Sequence, residues 1–189
     1  MTVAEAIRQC RQCEAHLPAG ARPVVSFSPT ARLVIVSQAP GAKVHESGIA
    51  WNDASGDRLR DWTGLTKAQM HDASRVALVP MGFCYPGKAK GGDKPPLREC
   101  AAAWHERVWA ELPDDRLTLL VGTYAQRHYL PHTRAWSLTD RVRRFREFLP
   151  HAFPLPHPAW RSRLWMDRHP WFESDVLPEL RDRIAQRIR

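Results

Sequence analysis

The segment RLVIVSQAPG, residues Arg32 to Gly41, decides the fold class. It opens with a continuous apolar run that is too short for a helix, and Pro40 and Gly41 follow that run. Such a run is typical of a strand buried on both faces, and the Pro-Gly ending predicts a loop. The segment therefore predicts a fully buried strand that leads into a ligand-binding loop.

Three further segments have the same buried-strand character. They are Val76–Phe83, Leu117–Gly122 and His151–Pro158, and Pro80 predicts that the first of them ends near that residue. Helical patterns separate the strands: a helix start at Ser55, a helix over Cys100–Leu112, TYAQRHYL after Gly122, and a basic terminal helix over Asp175–Arg189 with Val176, Leu177, Leu180 and Ile184 inward. This alternation predicts an α/β fold, a three-layer α/β/α sandwich with a central four-stranded parallel sheet.

Ligands of parallel sheets bind beyond the carboxyl ends of the strands. The loops Ser37–Trp51 and His157–Arg163 follow two of the predicted strands, so we expect the functional site between them. The Gly-, Pro- and Lys-rich stretch Tyr85–Pro96 is predicted to be a loop.

Length and composition predict a single domain over residues 1–189. The 189 residues are 43% hydrophobic, enough for one sizeable core, and show no repeat or linker. No apolar stretch approaches the roughly 18–20 residues of a membrane span, and the first residues lack the basic and apolar regions of a signal peptide. We expect a cytoplasmic monomer without membrane contact.

The charge predicts an anionic partner. Lys and Arg number 28 against 20 acidic residues, a net +8, and 23 of the 28 are Arg. Arg favours planar contacts with phosphates or bases, although a GC-rich genome would raise the Arg content without functional gain. Residues 141–189 hold 11 basic and 6 acidic residues, so they carry a net +5 of the total +8.

Four cysteines are spaced as two pairs. Cys10 and Cys13 form a CxxC pair, and fifteen residues separate Cys84 from Cys100. In a reducing compartment these thiols are not expected to form disulfides. Spacing alone leaves three alternatives open: a zinc site, an iron–sulfur cluster, or buried cysteines without a ligand.

Three motifs frame the predicted site. They are Ser37-Gln38-Ala39-Pro40-Gly41, the stretch from Gly48 through Trp51 to Gly56, and His157-Pro158-Ala159-Trp160-Arg161. The motifs and their spacing resemble the uracil-DNA glycosylase superfamily, whose motifs run G-Q-D-P-Y or G-E-A-P-G and then H-P-S. The cysteines resemble the cluster ligands of its iron–sulfur groups. The resemblance runs from Cys10 to about Arg163.

The resemblance implies a monofunctional DNA glycosylase of base excision repair, because no lysine lies in the motifs to form a Schiff base. Its partner would be DNA that contains uracil or a related deaminated base. The resemblance also implies a [4Fe–4S] cluster, rather than zinc, on Cys10, Cys13, Cys84 and Cys100.

Each motif residue has an implied role at a base flipped out of the duplex. Trp51 occupies the position of the family's stacking Phe, and the backbone from Gln38 through Ala39 and Pro40 to Gly41 can approach the base or the attacking water. His157 matches the histidine that stabilises charge on the leaving base. Arg161 and Arg163 suit phosphate contacts or a wedge in the vacated stack, with solvated surface arginines as the alternative.

The general base is the main departure from the family. Ala39 replaces the Asp of G-Q-D-P-Y, and Gln38 replaces the acid of G-E-A-P-G but cannot take a proton at neutral pH. Asp53 resembles the aspartate of a D-x-S-G stretch in the second iron–sulfur group and is the first candidate, with His45 and Glu46 in reserve. The alternative role of Asp53 is that of an N-cap, for which Ser55 competes.

The residues expected to recognise the base also depart from the family's pattern. Pro80 stands where uracil-specific members carry an Asn that contacts the base edge, and Ser37 replaces a Gly. A missing edge contact weakens discrimination among bases, so hypoxanthine or xanthine are alternative substrates. Two other functions stay open: a catalytically weak nucleic-acid-binding relative, and a zinc-stabilised α/β hydrolase acting on nucleotides.

Overall fold

A computed structural model describes residues 1–188. The strands are β1 (Leu33–Val36), β2 (Val76–Leu78), β3 (Lys88–Ala89), β4 (Gly92–Asp93), β5 (Leu117–Val121) and β6 (Ala152–Leu155). The helices are α1 (Val3–Arg8), α2 (Ala42–Ser47), α3 (Ala54–Thr63), α4 (Lys67–His71), α5 (Arg98–Trp109), α6 (Thr123–Tyr129), α7 (Leu138–Arg143), α8 (Ser162–Asp167) and α9 (Leu177–Ala185).

Four strands form the central sheet, in the order β2-β1-β5-β6. All neighbours are parallel, and Leu33 lies opposite both Val76 and Leu117. The chain leaves β1 toward β2 on one side and then crosses to β5 on the other. The crevice at the carboxyl ends of β1 and β5 is therefore the switch point at which parallel sheets bind ligands.

Alternate residues of each strand enter two separate cores, because successive side chains of a strand point to opposite faces. Leu33 and Ile35 of β1 pack with residues of α3 and α9, whereas Val34 and Val36 pack with residues of α1, α5 and α6. The sheet is thus covered by helices on both faces. The predicted three-layer sandwich with four parallel strands is confirmed.

Most predicted elements are present with shifted ends. The four strands lie inside the predicted segments, and Val176, Leu177, Leu180 and Ile184 are buried as predicted. The terminal helix begins with a π-helical turn over Phe172–Val176, and Arg189 lies outside the described residues.

Two predicted loops contain secondary structure. The stretch Tyr85–Pro96 contains the antiparallel hairpin of β3 and β4, and Ser37–Trp51 contains α2 between Gly41 and Gly48. Helix α3 begins at Ala54, one residue before the predicted start at Ser55. In residues 1–188, none of the helices combines the length and apolar character needed to span a bilayer.

Candidate active site

A cavity of about 420 Å³ opens at the carboxyl edge of the sheet. This volume lies within the roughly 300–1,000 Å³ of small-ligand pockets. Its walls come from the segments after β1, β2 and β6 and from the β3–β4 hairpin. The predicted site residues that line it are Gln38, Ala39, Pro40, Gly41, Trp51, Asp53, Pro80, His157 and Arg161.

The loop after β1 is anchored through its carbonyl groups. The amide of Met81 donates to the carbonyl of Ser37 at 2.8 Å, and the amide of Gly82 donates to that of Gln38 at 3.0 Å. In residues 1–188, no backbone acceptor binds the amides of Ala39 and Gly41. These two donors are therefore available to a ligand or a water molecule in the cavity.

The backbone of Trp51 has a left-handed conformation that residues other than glycine rarely adopt. Its φ is +57°, and its side chain is buried against the core beneath the cavity. Its carbonyl lies directly over Gly56, where a Cβ would sit only 1.8 Å from the oxygen. The glycine of the Asp-x-Ser-Gly stretch is required because only a residue without a side chain fits under Trp51.

Asp53 caps α3. Its Oδ1 accepts a hydrogen bond from the amide of Gly56 at 2.9 Å, which is the N-cap role expected as the alternative for this residue. The residue also lines the cavity. A capping carboxylate keeps a second oxygen, so the two roles are compatible.

His157 and Trp51 both line the cavity and their rings pack against each other, with 6.1 Å between the centroids and 30° between the ring planes. Burial lowers the pKa of His157, while the carboxylates of Asp53 and Asp93 act in the opposite direction. Gly122, with a φ of +87°, lies against this residue, since a Cβ there would be 3.4 Å from that of His157, an ordinary contact distance. Burial therefore favours the neutral form of the ring, which can donate one N–H.

The segment after His157 is anchored by an arginine of α3. Arg58 donates to the carbonyls of Ala159 at 2.5 Å and Pro158 at 3.3 Å. Trp160 is 70% exposed at the tip of this segment, and the guanidinium of Arg161 lies 5.2 Å from its ring centroid. Trp160 has no role predicted from the sequence, although it lies within the motif from His157 to Arg161.

Pro80 is held from behind by a buried histidine. His105 Nε2 lies 3.0 Å from the Pro80 carbonyl, its Nδ1 contacts the hydroxyl of Tyr129, and Trp109 Nε1 donates to that hydroxyl at 3.0 Å. Since a carbonyl only accepts, Nε2 carries the proton and Nδ1 accepts from Tyr129. Burial lowers the pKa of His105 to about 4, so this chain of hydrogen bonds contains a neutral ring.

Asp93 is a cavity residue that the sequence analysis missed. It lies in β4, and its Oδ2 would be 3.5 Å from a Cβ placed on Gly41. Its Oδ1 accepts from the hydroxyl of Tyr85 at 3.5 Å, and the side-chain amide of Gln38 reaches the carbonyl of Lys94 at 3.4 Å. The hairpin is thereby joined to the loop after β1.

Three predicted residues lie outside the cavity lining. His45 and Glu46 are on α2, and the ring of His45 packs against Tyr85 at 5.9 Å between centroids. Arg163 is exposed on α8. His45 and Glu46 therefore do not line the cavity in which a general base would act. Arg163 is accessible to a partner outside the cavity.

The four cysteines line one cavity in the N-terminal part of the molecule. Burial raises the pKa of Cys100 to about 12, and the other three thiols act in the same direction, since they lie nearby. The amide of Phe83 donates to Cys100 Sγ at 3.2 Å. Four soft sulfur donors in one cavity suit zinc or an iron–sulfur cluster. The type of donor therefore fits such a group, although in residues 1–188 no three His, Cys, Asp or Glu side chains converge as the ligands of a single metal ion would.

Fold and cavity define a parallel α/β protein with an aromatic and polar pocket at the switch point of its sheet. A family model described as the uracil DNA glycosylase superfamily matches residues 25–181. The chain belongs to this superfamily. Membership supports a glycosylase class of hydrolase that acts on DNA. The matched range includes every predicted residue of the cavity but not Cys10 and Cys13.

Proposed function

We propose that this protein hydrolyses the N-glycosidic bond of uracil or a related deaminated base in DNA. The observation that carries the proposal is that Trp51 and His157 lie together in the lining of a cavity that also presents two free amides. An aromatic face can cover an extruded base, and polar groups around it can grip its edge. In the described residues no lysine lines the cavity, which supports a reaction without a Schiff base.

The chemistry follows from where charge develops. As the bond from C1′ to the base nitrogen stretches, its electron pair moves onto the base, and the N–H of the neutral His157 can stabilise that charge. The sugar becomes electron-poor, so the nearby carboxylate of Asp53 stabilises it electrostatically. Water then adds to C1′, which leaves an abasic site and the free base.

The substrate range is expected to be broad. Pro80 presents no side-chain donor or acceptor to the cavity. A pocket without that edge contact discriminates weakly among bases of similar shape. Hypoxanthine and xanthine therefore belong in the substrate panel beside uracil.

The decisive experiment uses end-labelled oligonucleotides that each carry uracil, hypoxanthine, xanthine or an unmodified base. Alkali after incubation cuts the strand wherever an abasic site has formed. We expect cleavage at one or more of the deaminated bases and none at the unmodified ones. Specific binding of these strands without any cleavage would instead favour the catalytically weak binding relative, to which the lack of an acid at Gln38 and Ala39 points.

The exposed tip after His157 suits contact with a duplex. Trp160 is large, apolar and 70% exposed, and Arg161 stacks beside it. An apolar wedge can fill the gap left by a flipped nucleotide, and arginines can bind the flanking phosphates. Arg161 and Arg163 are proposed as phosphate contacts.

We also propose that Cys10, Cys13, Cys84 and Cys100 hold a [4Fe–4S] cluster. Their common cavity supports a shared ligand, and the resemblance of their spacing to the superfamily's iron–sulfur groups favours a cluster over zinc. Bound there, it would supply a structural cross-link between the N-terminal segment, the end of β2 and α5. Metal analysis should find iron and sulfide, with absorption near roughly 400 nm. Stoichiometric zinc, or full iron content in Cys84→Ser, would contradict the assignment.

A further inference from the structure

We infer that Asp93 is the carboxylate that activates the attacking water. This inference rests on the proposed glycosylase function and concerns its missing base. The loop after β1 offers only Gln38 and Ala39 at the two positions where relatives of the family carry an acid. The fold brings a carboxylate to the same place from a hairpin more than fifty residues further along the chain.

The geometry places Asp93 over this loop. Its Oδ2 would lie 3.5 Å from a Cβ on Gly41, whose amide is one of the two that have no backbone acceptor in the described chain. A water held between those donors and Oδ2 would have a proton acceptor and two fixed orienting contacts. The hydrogen bond from Gln38 to the Lys94 carbonyl fixes the loop and the hairpin relative to each other.

Asp93 is also freer than Asp53. The carboxylate of Asp53 is engaged as the cap of α3 at 2.9 Å, whereas within residues 1–188 the carboxylate of Asp93 accepts only a long bond from Tyr85 at 3.5 Å. Lys88 is paired with Asp93 in the hairpin register, yet the described chain holds no ion pair between them. Asp93 is exposed on the hairpin, so its carboxylate is accessible to a water molecule in the cavity that it lines.

The two carboxylates then have different roles. The bond from C1′ to the base breaks and its electron pair leaves with the base, on the side of His157. The water oxygen forms the new bond to C1′, and one of its protons passes to Asp93 and from there to solvent or the departing base. The carboxylate of Asp53 stabilises the electron-poor sugar.

The test compares Asp93→Asn with the unaltered protein in single-turnover cleavage of the preferred substrate from the panel. We expect a fall of about 100-fold or more, the usual contribution of a general base. Affinity for a 2′-fluoro analogue that resists hydrolysis should stay within about threefold. Formate should partly restore cleavage in Asp93→Ala, which a merely structural role would not allow. Asp114→Asn is the matched control, because Asp114 is fully exposed just before β5, at the opposite edge of the sheet.

Two kinds of failure are distinguishable. If the unaltered protein cleaves none of the bases, the proposed function is wrong and this inference falls with it. If the unaltered protein cleaves and Asp93→Asn cleaves at a similar rate, the inference alone is wrong. Loss of analogue binding in Asp93→Asn together with no rescue by formate would likewise overturn it in favour of a structural role.

Discussion

At the scale of single residues, the position of Trp51 depends on a glycine that it covers. Replacement of an exposed helical Gly by Ala usually raises the free energy of unfolding of a protein, by up to about 1 kcal/mol. At Gly56 the same replacement should lower the free energy of unfolding, since the added Cβ would lie 1.8 Å from the Trp51 carbonyl oxygen. We expect Gly56→Ala to lower the free energy of unfolding by about 1–3 kcal/mol.

Urea unfolding of Gly56→Ala measures this effect. Gly92→Ala is the control for stability, because a Cβ there would meet no heavy atom within 4 Å. Equal stability of the two variants would show that Trp51 can move away at little cost. In that case the positive φ of Trp51 would not be imposed by its packing on α3.

His157 is expected to act on the transition state more than on binding. Its buried ring favours the neutral form and faces the stacking Trp51. His157→Gln should lower the single-turnover rate by about 100-fold, the usual loss for one donor to developing charge. Affinity for the 2′-fluoro analogue should change little. His151→Gln, exposed just before β6, is the control, and a loss confined to affinity would contradict the assigned role.

At the scale of elements, α5 and α6 together support the end of β2. His105 of α5 binds the Pro80 carbonyl on one side and Tyr129 of α6 on the other. The pKa of His105 falls from the ordinary 6.5 to about 4 because of burial. The unfolded chain therefore takes up the proton first as the pH falls, so this residue leaves stability unchanged above about pH 6.5 and lowers it progressively toward pH 4.

The expected loss that His105 causes is about 2 kcal/mol of unfolding free energy at about pH 5, relative to about pH 7.5. His105→Gln keeps a donor and an acceptor but cannot be protonated, so it should lose less stability over the same interval. Urea unfolding at both pH values measures the difference, and other titrating groups cancel because both proteins contain them. Parallel losses in the two proteins would rule out His105 as the source.

Elements that could be predicted well from the sequence are those with a strong apolar signal. The run before Ser37 and the inward face of α9 are buried whatever their partners, so their pattern alone identifies them. Helix α2 was missed because Val44 is its single buried residue. His105 could have been found, since it repeats the inward spacing of Ala101 and Val108 on α5.

Site residues can be predicted from the sequence where a residue with suitable chemistry directly follows a predicted strand, because the strand also fixes where that residue lies. Gln38 and His157 closely follow strands, and the carboxyl ends of those strands meet at one edge of a parallel sheet. Asp93 lies in a hairpin whose strands have two residues each, too short for any periodicity. Its approach to Gly41 depends on how that hairpin packs on a loop far away in the sequence.

At the scale of the whole molecule, the net charge of +8 should appear as a salt dependence of DNA binding. Removal of one side chain that binds a phosphate reduces the slope of log affinity against log salt concentration by about 1. Arg161 lines the cavity, and Arg163 is exposed on α8 two residues further along the chain. Arg161→Gln and Arg163→Gln should each flatten the slope by about that amount.

Arg32→Gln is the matched control for this measurement. Arg32 immediately precedes β1, at the edge of the sheet opposite the cavity, where its guanidinium lies 3.4 Å from Asp115. The substitution removes the same formal charge from the molecule, so a general effect of net charge would alter its slope equally. Fluorescence anisotropy over a salt series separates the two outcomes. A slope that falls only for Arg161→Gln and Arg163→Gln assigns the phosphate contacts to the segment after His157, and equal slopes in all three variants would contradict this placement.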